Sequence, residues 1–221
     1  NNMNGGFAKA CNQGIRASKG EWLILVNPDI VFTAPILEKL TDQLQNDKDV
    51  GIAGISLKNP NGTPQLCVSR FPRPLSQLAL LFKQPHLFPP ILSSWKMKDF
   101  DASKTQDVDQ VMGAFFCIQR SVIETVGLLD EKFFMWYEEV DYCKRAKEAG
   151  WHIRFYHDLS AVHVGGASFA KVLTWKKQAM LRKSLRVYMK KHFGFFVWLL
   201  FFMLNPLFWL IAFFAGVVKR R

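Results

Sequence analysis

Between Phe193 and Val218 the chain carries no charged residue. The stretch FGFFVWLLFFMLNPLFWLIAFFAGVV is long enough to cross a bilayer, which takes about 20 apolar residues. Asn205-Pro206 interrupts it near the middle, and proline breaks or kinks a helix. Each half alone is short for a span. Lys190 and Lys191 stand before the stretch, and Lys219 to Arg221 stand after it. Positive charge favours the cytoplasmic side, so a single pass would strand one basic cluster outside. The pattern predicts an apolar, membrane-associated helical hairpin over residues 193–221, broken at Asn205-Pro206. A pair of buried core helices is the alternative.

The charge balance points the same way. The net charge is +11, and from Leu159 onward there are Lys and Arg residues but no Asp or Glu. Before Leu159 the basic residues balance the 18 acids. A localised basic excess suits nucleic acid or an anionic membrane surface. Residues 169–192 read as a basic amphipathic helix, with Leu173, Met180, Leu185, Tyr188 and Met189 near helical spacing. No zinc finger or RNA-binding aromatic motif accompanies the charge. The expected partner is therefore an anionic membrane surface, not nucleic acid. Cys11, Cys67, Cys117 and Cys143 are scattered without a CxxC pair, which argues against a zinc site or a disulfide framework and suits a reducing compartment.

The region before Leu159 alternates strand-like and helix-like segments. EWLILV (21–26) suits a buried parallel strand, and APILEKLTDQLQ has apolar positions at helical spacing. VGIAGI reads as a strand and KNPNGTPQ as a turn. VMGAFFCIQ reads as a third strand, RSVIETVG as a short helix and EEVDYCKRAKEAG as a helix ending at Gly150. HIRFYH and SAVHV read as closing strands, while residues 71–107 are irregular and proline-rich, with an amphipathic piece around Leu75–Phe82. This alternation predicts an α/β layer architecture.

Three places carry candidate chemistry. Asn27-Pro28-Asp29 follows a strand, where open α/β sheets bind ligands. A carboxylate there can hold a hard divalent cation against a diphosphate, although Asp29 also suits a turn or a helix cap. Glu138, Glu139 and Asp141 open a helix behind Trp136 and Tyr137. Acids complement the macrodipole at that end, which is a sufficient structural reason for them. They can also supply a general base for an attacking hydroxyl, with the aromatic faces supporting a sugar. His163 follows a strand and precedes glycines. A lone histidine is commonly structural, but a neutral imidazole also binds divalent metals.

Taken in order, NMNGGFAKACNQGIRASKGEWLILVNPDI, VMGAFFCIQRSVIETVGLLDEKFFMWYEEVDYCKRAKEAGW and HVGGAS resemble a family 2 glycosyltransferase of the rhamnosyltransferase-like group. The resemblance spans about residues 2–168. It implies a GT-A fold, with a mixed, mostly parallel sheet flanked by helices. It also implies inverting transfer of a sugar, rhamnose being the favoured example, from a nucleotide diphosphate donor to a glycolipid or polysaccharide. By motif, Asp29 matches the last acid of the family's DxD-like metal motif, and Asn27 replaces the first. His163 matches a histidine completing the site, with Mg²⁺ or Mn²⁺ as the implied cofactor. Glu139 matches the catalytic base, where Asp is usual, which leaves Glu138 as a rival. Asn4, Gly6, Phe7, Asn12, Asn27, Gly113 and Ala114 match the donor side, and Trp136, Tyr137 and Asp141 fall on the acceptor side.

In relatives a first strand–helix–strand unit precedes the Asn-x-Gly-Phe segment. The resemblance therefore implies a catalytic domain over 1–168 that lacks this unit here and exposes a sheet edge. The tail would hold the site at the cytoplasmic face of the membrane, near a lipid-linked acceptor. Two other readings stand beside this one: a non-catalytic scaffold of a polysaccharide assembly complex, and a nucleotidyltransferase on a similar fold.

Overall fold

The computed structural model describes residues 4–82, 97, 100–165 and 174–218, with side chains to 211 in the tail. Asn1–Met3, the middle of the proline-rich stretch, Gly166–Ser168 of the HVGGAS motif, the predicted helix start at Phe169–Leu173 and the basic cluster Lys219–Arg221 lie outside the described residues.

In chain order the elements are α1 (Phe7–Ala17), β1 (Trp22–Val26), β2 (Ile30–Val31), α2 (Leu37–Asn46), β3 (Val50–Lys58), β4 (Val68–Ser69), α3 (Pro74–Leu81), β5 (Gln106–Asp107), β6 (Gln110–Val111), β7 (Phe115–Gln119), α4 (Arg120–Val126), α5 (Glu138–Glu148), β8 (His152–His163) and α6 (Thr174–Val218). The main sheet has the order β1-β7-β3-β8-β2, with β5 also paired to β8. It is mixed, as expected, but not mostly parallel among the described residues. Only β3 and β8 run parallel, while β1–β7, β3–β7, β2–β8 and β5–β8 are antiparallel. β1, expected in a parallel pair, therefore has an antiparallel neighbour.

β3 is the central strand, and its residues are buried on both faces almost throughout. The two predicted closing strands are one strand, β8. Its register against β3 jumps from Ile55↔Tyr156 to Ser56↔Ser160, so the bulge falls where HIRFYH ends. VMGAFFCIQ is split by a turn at Met112–Ala114 between β6 and β7. The core gathers Ile52, Ile55, Phe115, Phe116, Ile118 and Phe155 from the sheet, with α1, α2 and α5 packed onto it.

The tail departs from the sequence-based expectation. The helix runs through Asn205-Pro206 without a break. Its break is Gly194, at φ 85° and ψ −177°, a left-sided conformation that glycine tolerates without a Cβ penalty. The two arms, 174–193 and 195–218, fold back on each other. Arg182 Nη2 donates to the Phe208 carbonyl at 3.2 Å, and Arg186 Nη1 donates to Asn205 Oδ1 at 3.0 Å. Lys190 lies over the Trp198 ring. The hairpin therefore pairs the basic arm with the apolar arm; it does not form within 193–221.

A second apolar cluster docks this hairpin on the domain. Phe133 and Val140 pack with Leu185, Tyr188, Met189 and Phe201. The outer face of the apolar arm remains open, with Phe196 at 84% and Met203 at 69% exposure. By length and composition alone the stretch Trp175–Ile211, which contains the Gly194 break, is apolar enough to cross a membrane.

Candidate active site

β2 and β8 pair so that Ile30 stands opposite His163. That register brings Asp29 and His163 together from opposite ends of the domain. His163 Nε2 is 3.5 Å from Asp29 Oδ1, and that oxygen is buried with no hydrogen-bond partner. Gln65 fixes the imidazole from behind. Its amide nitrogen donates to the carbonyl of His163 at 2.7 Å and to Asn59 Oδ1 at 2.8 Å, so its oxygen is the atom facing His163 Nδ1 at 2.9 Å. Nδ1 therefore donates to Gln65, and Nε2 is the ring atom turned toward the carboxylate of Asp29. A neutral imidazole Nε2 and a carboxylate oxygen at this separation are the donor pair that could hold a divalent cation between them. Among the described residues no third Asp, Glu, His or Cys completes a cluster. Sequence reasoning treated Gln65 only as the end of a turn.

The turn between β6 and β7 links this end to the acids. Asn27 N–H donates to the Ala114 carbonyl at 2.9 Å. Gly113 lies beside Glu139: a Cβ there would stand 3.5 Å from Glu139 Cβ. Asn27, Gly113, Ala114 and Glu139 are thus contiguous.

The N-terminal segment shapes the loop before α5. Phe7 N–H donates to the Phe134 carbonyl at 2.9 Å, and Asn4 Oδ1 accepts from Gly6 N–H. Gly6 has φ 91°, and a Cβ on it would meet Phe134 O at 2.5 Å, so only glycine fits. Trp136 and Tyr137 follow with φ 63° and 70°. Left-handed non-glycine residues cost about 1–3 kcal/mol each and persist where the surroundings dictate them.

Glu138 and Glu139 are both buried at Oε2, and neither of those oxygens has a hydrogen-bond partner among the described residues. Burial pushes the Glu138 carboxyl well up, and the charge of Glu139 pushes it further. Burial also raises Glu139, opposed by backbone N–H groups. The pair therefore holds a proton to higher pH than free glutamates, so one of the two carboxyls can accept a proton beside the other.

Glu139 faces a cavity of about 510 Å³, within the size range of ligand pockets. Trp136 and Tyr137 line it, with Gln77 and Leu81 from α3 and Arg182 from the tail. The Tyr137 hydroxyl donates to Gln77 Oε1 at 3.0 Å, and its ring packs on Tyr188. Gln77 and Arg182 carry no motif and escaped the sequence reading.

Two expected site residues serve other ends. Asn12 is 1% exposed, and its amide donates to the Leu129 carbonyl and to Glu131 and accepts from Leu129 N–H. It braces the loop before α5 and has no group left for a donor. Asp141, expected on the acceptor side, is fully buried among Arg145, Lys191 and His192. The periodicity of α5 turns it away from the cavity and toward the tail.

A family model described as glycosyltransferase like family 2 matches residues 1–183. The chain belongs to glycosyltransferase family 2. The hexosyltransferase Agl10 of low-salt glycan biosynthesis in Haloferax volcanii is 27% identical over 72% of this chain and 49% of the relative. The N-acetylglucosaminyl-diphospho-decaprenol L-rhamnosyltransferase of Mycobacterium tuberculosis is 25% identical over 59% of this chain and 43% of the relative. This family 2 chain thus spans about half the length of the curated relatives it matches or less.

Among solved structures, GalNAc-T7 with UDP, GalNAc and Mn²⁺ superposes with a TM-score of 0.50 at 14% identity, covering 74% of this chain and 31% of that one. The mannosyltransferase PcManGT of Pyrobaculum calidifontis with GDP-Man and Mn²⁺ gives 0.50 at 16% identity, covering 84% and 43%. These likenesses bear out the expected GT-A-like fold, a mixed sheet flanked by helices.

Proposed function

We propose that this family 2 protein transfers a sugar from a nucleotide diphosphate donor to a lipid-linked acceptor, with inversion, in cell-surface glycan synthesis. The observation that carries this reading is Glu139, its Oε2 unpartnered among the described residues, at the wall of a cavity bordered by Trp136 and Tyr137. Glu139 accepts the proton of the acceptor hydroxyl as that oxygen bonds to the anomeric carbon. The nucleoside diphosphate leaves from the opposite face with the bonding electron pair. Burial raises the basicity of Glu139.

Asp29 and His163 are the residues that would hold a divalent cation, Mg²⁺ or Mn²⁺. Such an ion supplies counter-charge to the departing diphosphate. Asn4, Gly6, Phe7, Asn27, Gly113 and Ala114 border the donor side in this reading. A lipid-linked acceptor agrees with the name of the mycobacterial relative and with the exposed apolar arm of the tail. Large exposed apolar faces mark membrane or partner contacts. The hairpin would seat the domain on the anionic cytoplasmic leaflet, where its basic arm finds counter-charge. Rhamnose is the favoured sugar.

The test is release of nucleoside diphosphate from a panel of nucleotide sugars in the presence of polyprenyl-diphosphate-linked sugars. Acceptor-dependent release, lost in Glu139→Gln with donor binding retained, supports the reading. Equal turnover in wild type and Glu139→Gln overturns it.

A further inference from the structure

One of the residues lining the cavity beside Glu139, Arg182, is a buried cation without a counter-charge among the described residues. Arg182 is 5% exposed, and its Nε and Nη1 have no hydrogen-bond partner among the described residues. Its Nη2 meets only the Phe208 carbonyl, and its guanidinium lies over the Trp209 ring at 4.4 Å. Among the described residues no carboxylate pairs with it, and the neighbouring charge is that of Arg186. Gln77 is 4% exposed, and its amide nitrogen is likewise buried without a partner. Both residues line the same cavity as Glu139.

A buried charge left unpaired is costly, and neither a ring face nor one carbonyl replaces a counter-ion. A guanidinium fork with free N–H groups matches the oxygens of a phosphate, and an amide N–H adds a further donor. The remaining wall is mainly apolar, with Leu66, Leu80, Leu81, Leu181 and Leu185, and Ser69, Gln110 and Gln178 are its other polar members. The ligand that satisfies every group therefore carries a hydroxyl for Glu139, an anionic phosphate for Arg182 and Gln77, and an apolar portion. We propose that Arg182 and Gln77 form the phosphate subsite of the acceptor, a sugar carried on a lipid phosphate or diphosphate.

This inference rests on the glycosyltransferase reading above. The donor's diphosphate is the other source of phosphate. Asp29 and His163, assigned to it, are not among the lining residues of this cavity. The subsite also places the acceptor between the domain and the tail, since Arg182 belongs to the arm that pairs with Phe208.

Two measurements test the assignment. Binding of a short-chain polyprenyl phosphate, carrying no sugar, is followed by tryptophan fluorescence in wild type, Arg182→Gln and Arg182→Lys. Loss of a charge-assisted contact should weaken binding by about tenfold or more in Arg182→Gln, with partial recovery in Arg182→Lys. Equal binding by wild type and Arg182→Gln overturns the subsite, whatever the transfer activity. Nucleoside diphosphate binding is measured beside it; a loss there matching the loss for lipid phosphate assigns Arg182 to the donor and also overturns the proposal.

In the second measurement, transfer to a lipid-diphosphate-linked sugar is compared with transfer to the same sugar on an uncharged alkyl chain. The KM increase in Arg182→Gln should be at least about tenfold larger for the phosphate-bearing acceptor. An equal loss on both acceptors overturns the proposal. Absence of transfer by wild type, with lipid phosphate binding still dependent on Arg182, instead counts against the glycosyltransferase reading and leaves the anion site supported.

Discussion

His192 Nε2 lies 2.8 Å from Asp141 Oδ1, which bonds the tail to the helix that opens with Glu138 and Glu139. Lys191 and Arg145 reach the same carboxylate. Burial pushes the Asp141 carboxyl up, but the bonds from His192 and Lys191 and the charges of Arg145 and Lys191 outweigh it, so it sits below the usual carboxylate range. Removing one partner of a buried ionic cluster costs about 3–5 kcal/mol. Asp141→Asn should lower the melting temperature and expose the Gly194 turn to protease. A depressed carboxyl contributes stability that is present above its unfolded pKa and is lost as pH falls through its folded one. Wild type should therefore lose stability below about pH 3.9 through this group, and Asp141→Asn should not. Melting curves against pH check both. An unchanged melting temperature at pH 7 would show that the latch is immaterial.

The Glu138–Glu139 pair makes a different pH prediction. A base raised by burial must lose its proton before it can work, so kcat/KM should rise with pH through a limb above the ordinary glutamate value of about 4.3. Glu139→Gln should remove the limb and reduce turnover by about 10²–10⁴-fold. Glu138→Gln should keep the limb. A raised carboxyl adds stability at low pH that is lost as pH rises through its folded value. Glu138→Gln should accordingly melt higher than wild type in mildly alkaline solution. Should Glu138→Gln be the inactive variant, the roles of the two acids are exchanged.

What the sequence disclosed follows from the range of the forces involved. The helix opening at Glu138 and the apolar run of β3 are local patterns, and the structure keeps both. The Asp29–His163 meeting depends on a two-residue antiparallel pairing between distant segments, which no local pattern encodes. Asp141 was legible as an acid in a first turn, but the partners that bury it stand on the tail. Asn205-Pro206 was the loudest break signal, yet Asn205 accepts a hydrogen bond from Arg186 within a continuous helix, and the turn falls on an inconspicuous glycine. Arg182 acquires its meaning only when the hairpin brings it to the cavity.

The cation site is testable without turnover. In the presence of a nucleoside diphosphate, Mn²⁺ binding should be lost in Asp29→Ala and weakened in Gln65→Leu by about 10–100-fold, since Gln65 reaches His163 at the second nitrogen and the carbonyl and not at Nε2. Isothermal titration measures both. Gln65→Leu binding Mn²⁺ as tightly as wild type would mean that the tautomer is held by something else. Full transfer activity in excess chelator would remove the metal role from Asp29 and His163 together.

The tail prediction concerns the exposed side of its apolar arm. Phe196 and Met203 stand largely free of the domain, whereas Phe201 and Phe208 face inward and are buried. Charge placed on the outer side meets water in the free protein but hydrocarbon or headgroups on a membrane, where it is unfavourable by about 2.5–3.5 kcal/mol at full depth. Phe196→Asp with Met203→Asp should therefore leave melting in solution unchanged and abolish co-flotation with vesicles containing anionic lipid. Basic residues on the other arm predict that flotation also weakens as salt rises. Flotation of the double variant equal to wild type would show that this face is covered by something other than lipid, and the membrane assignment of the hairpin would fall with it.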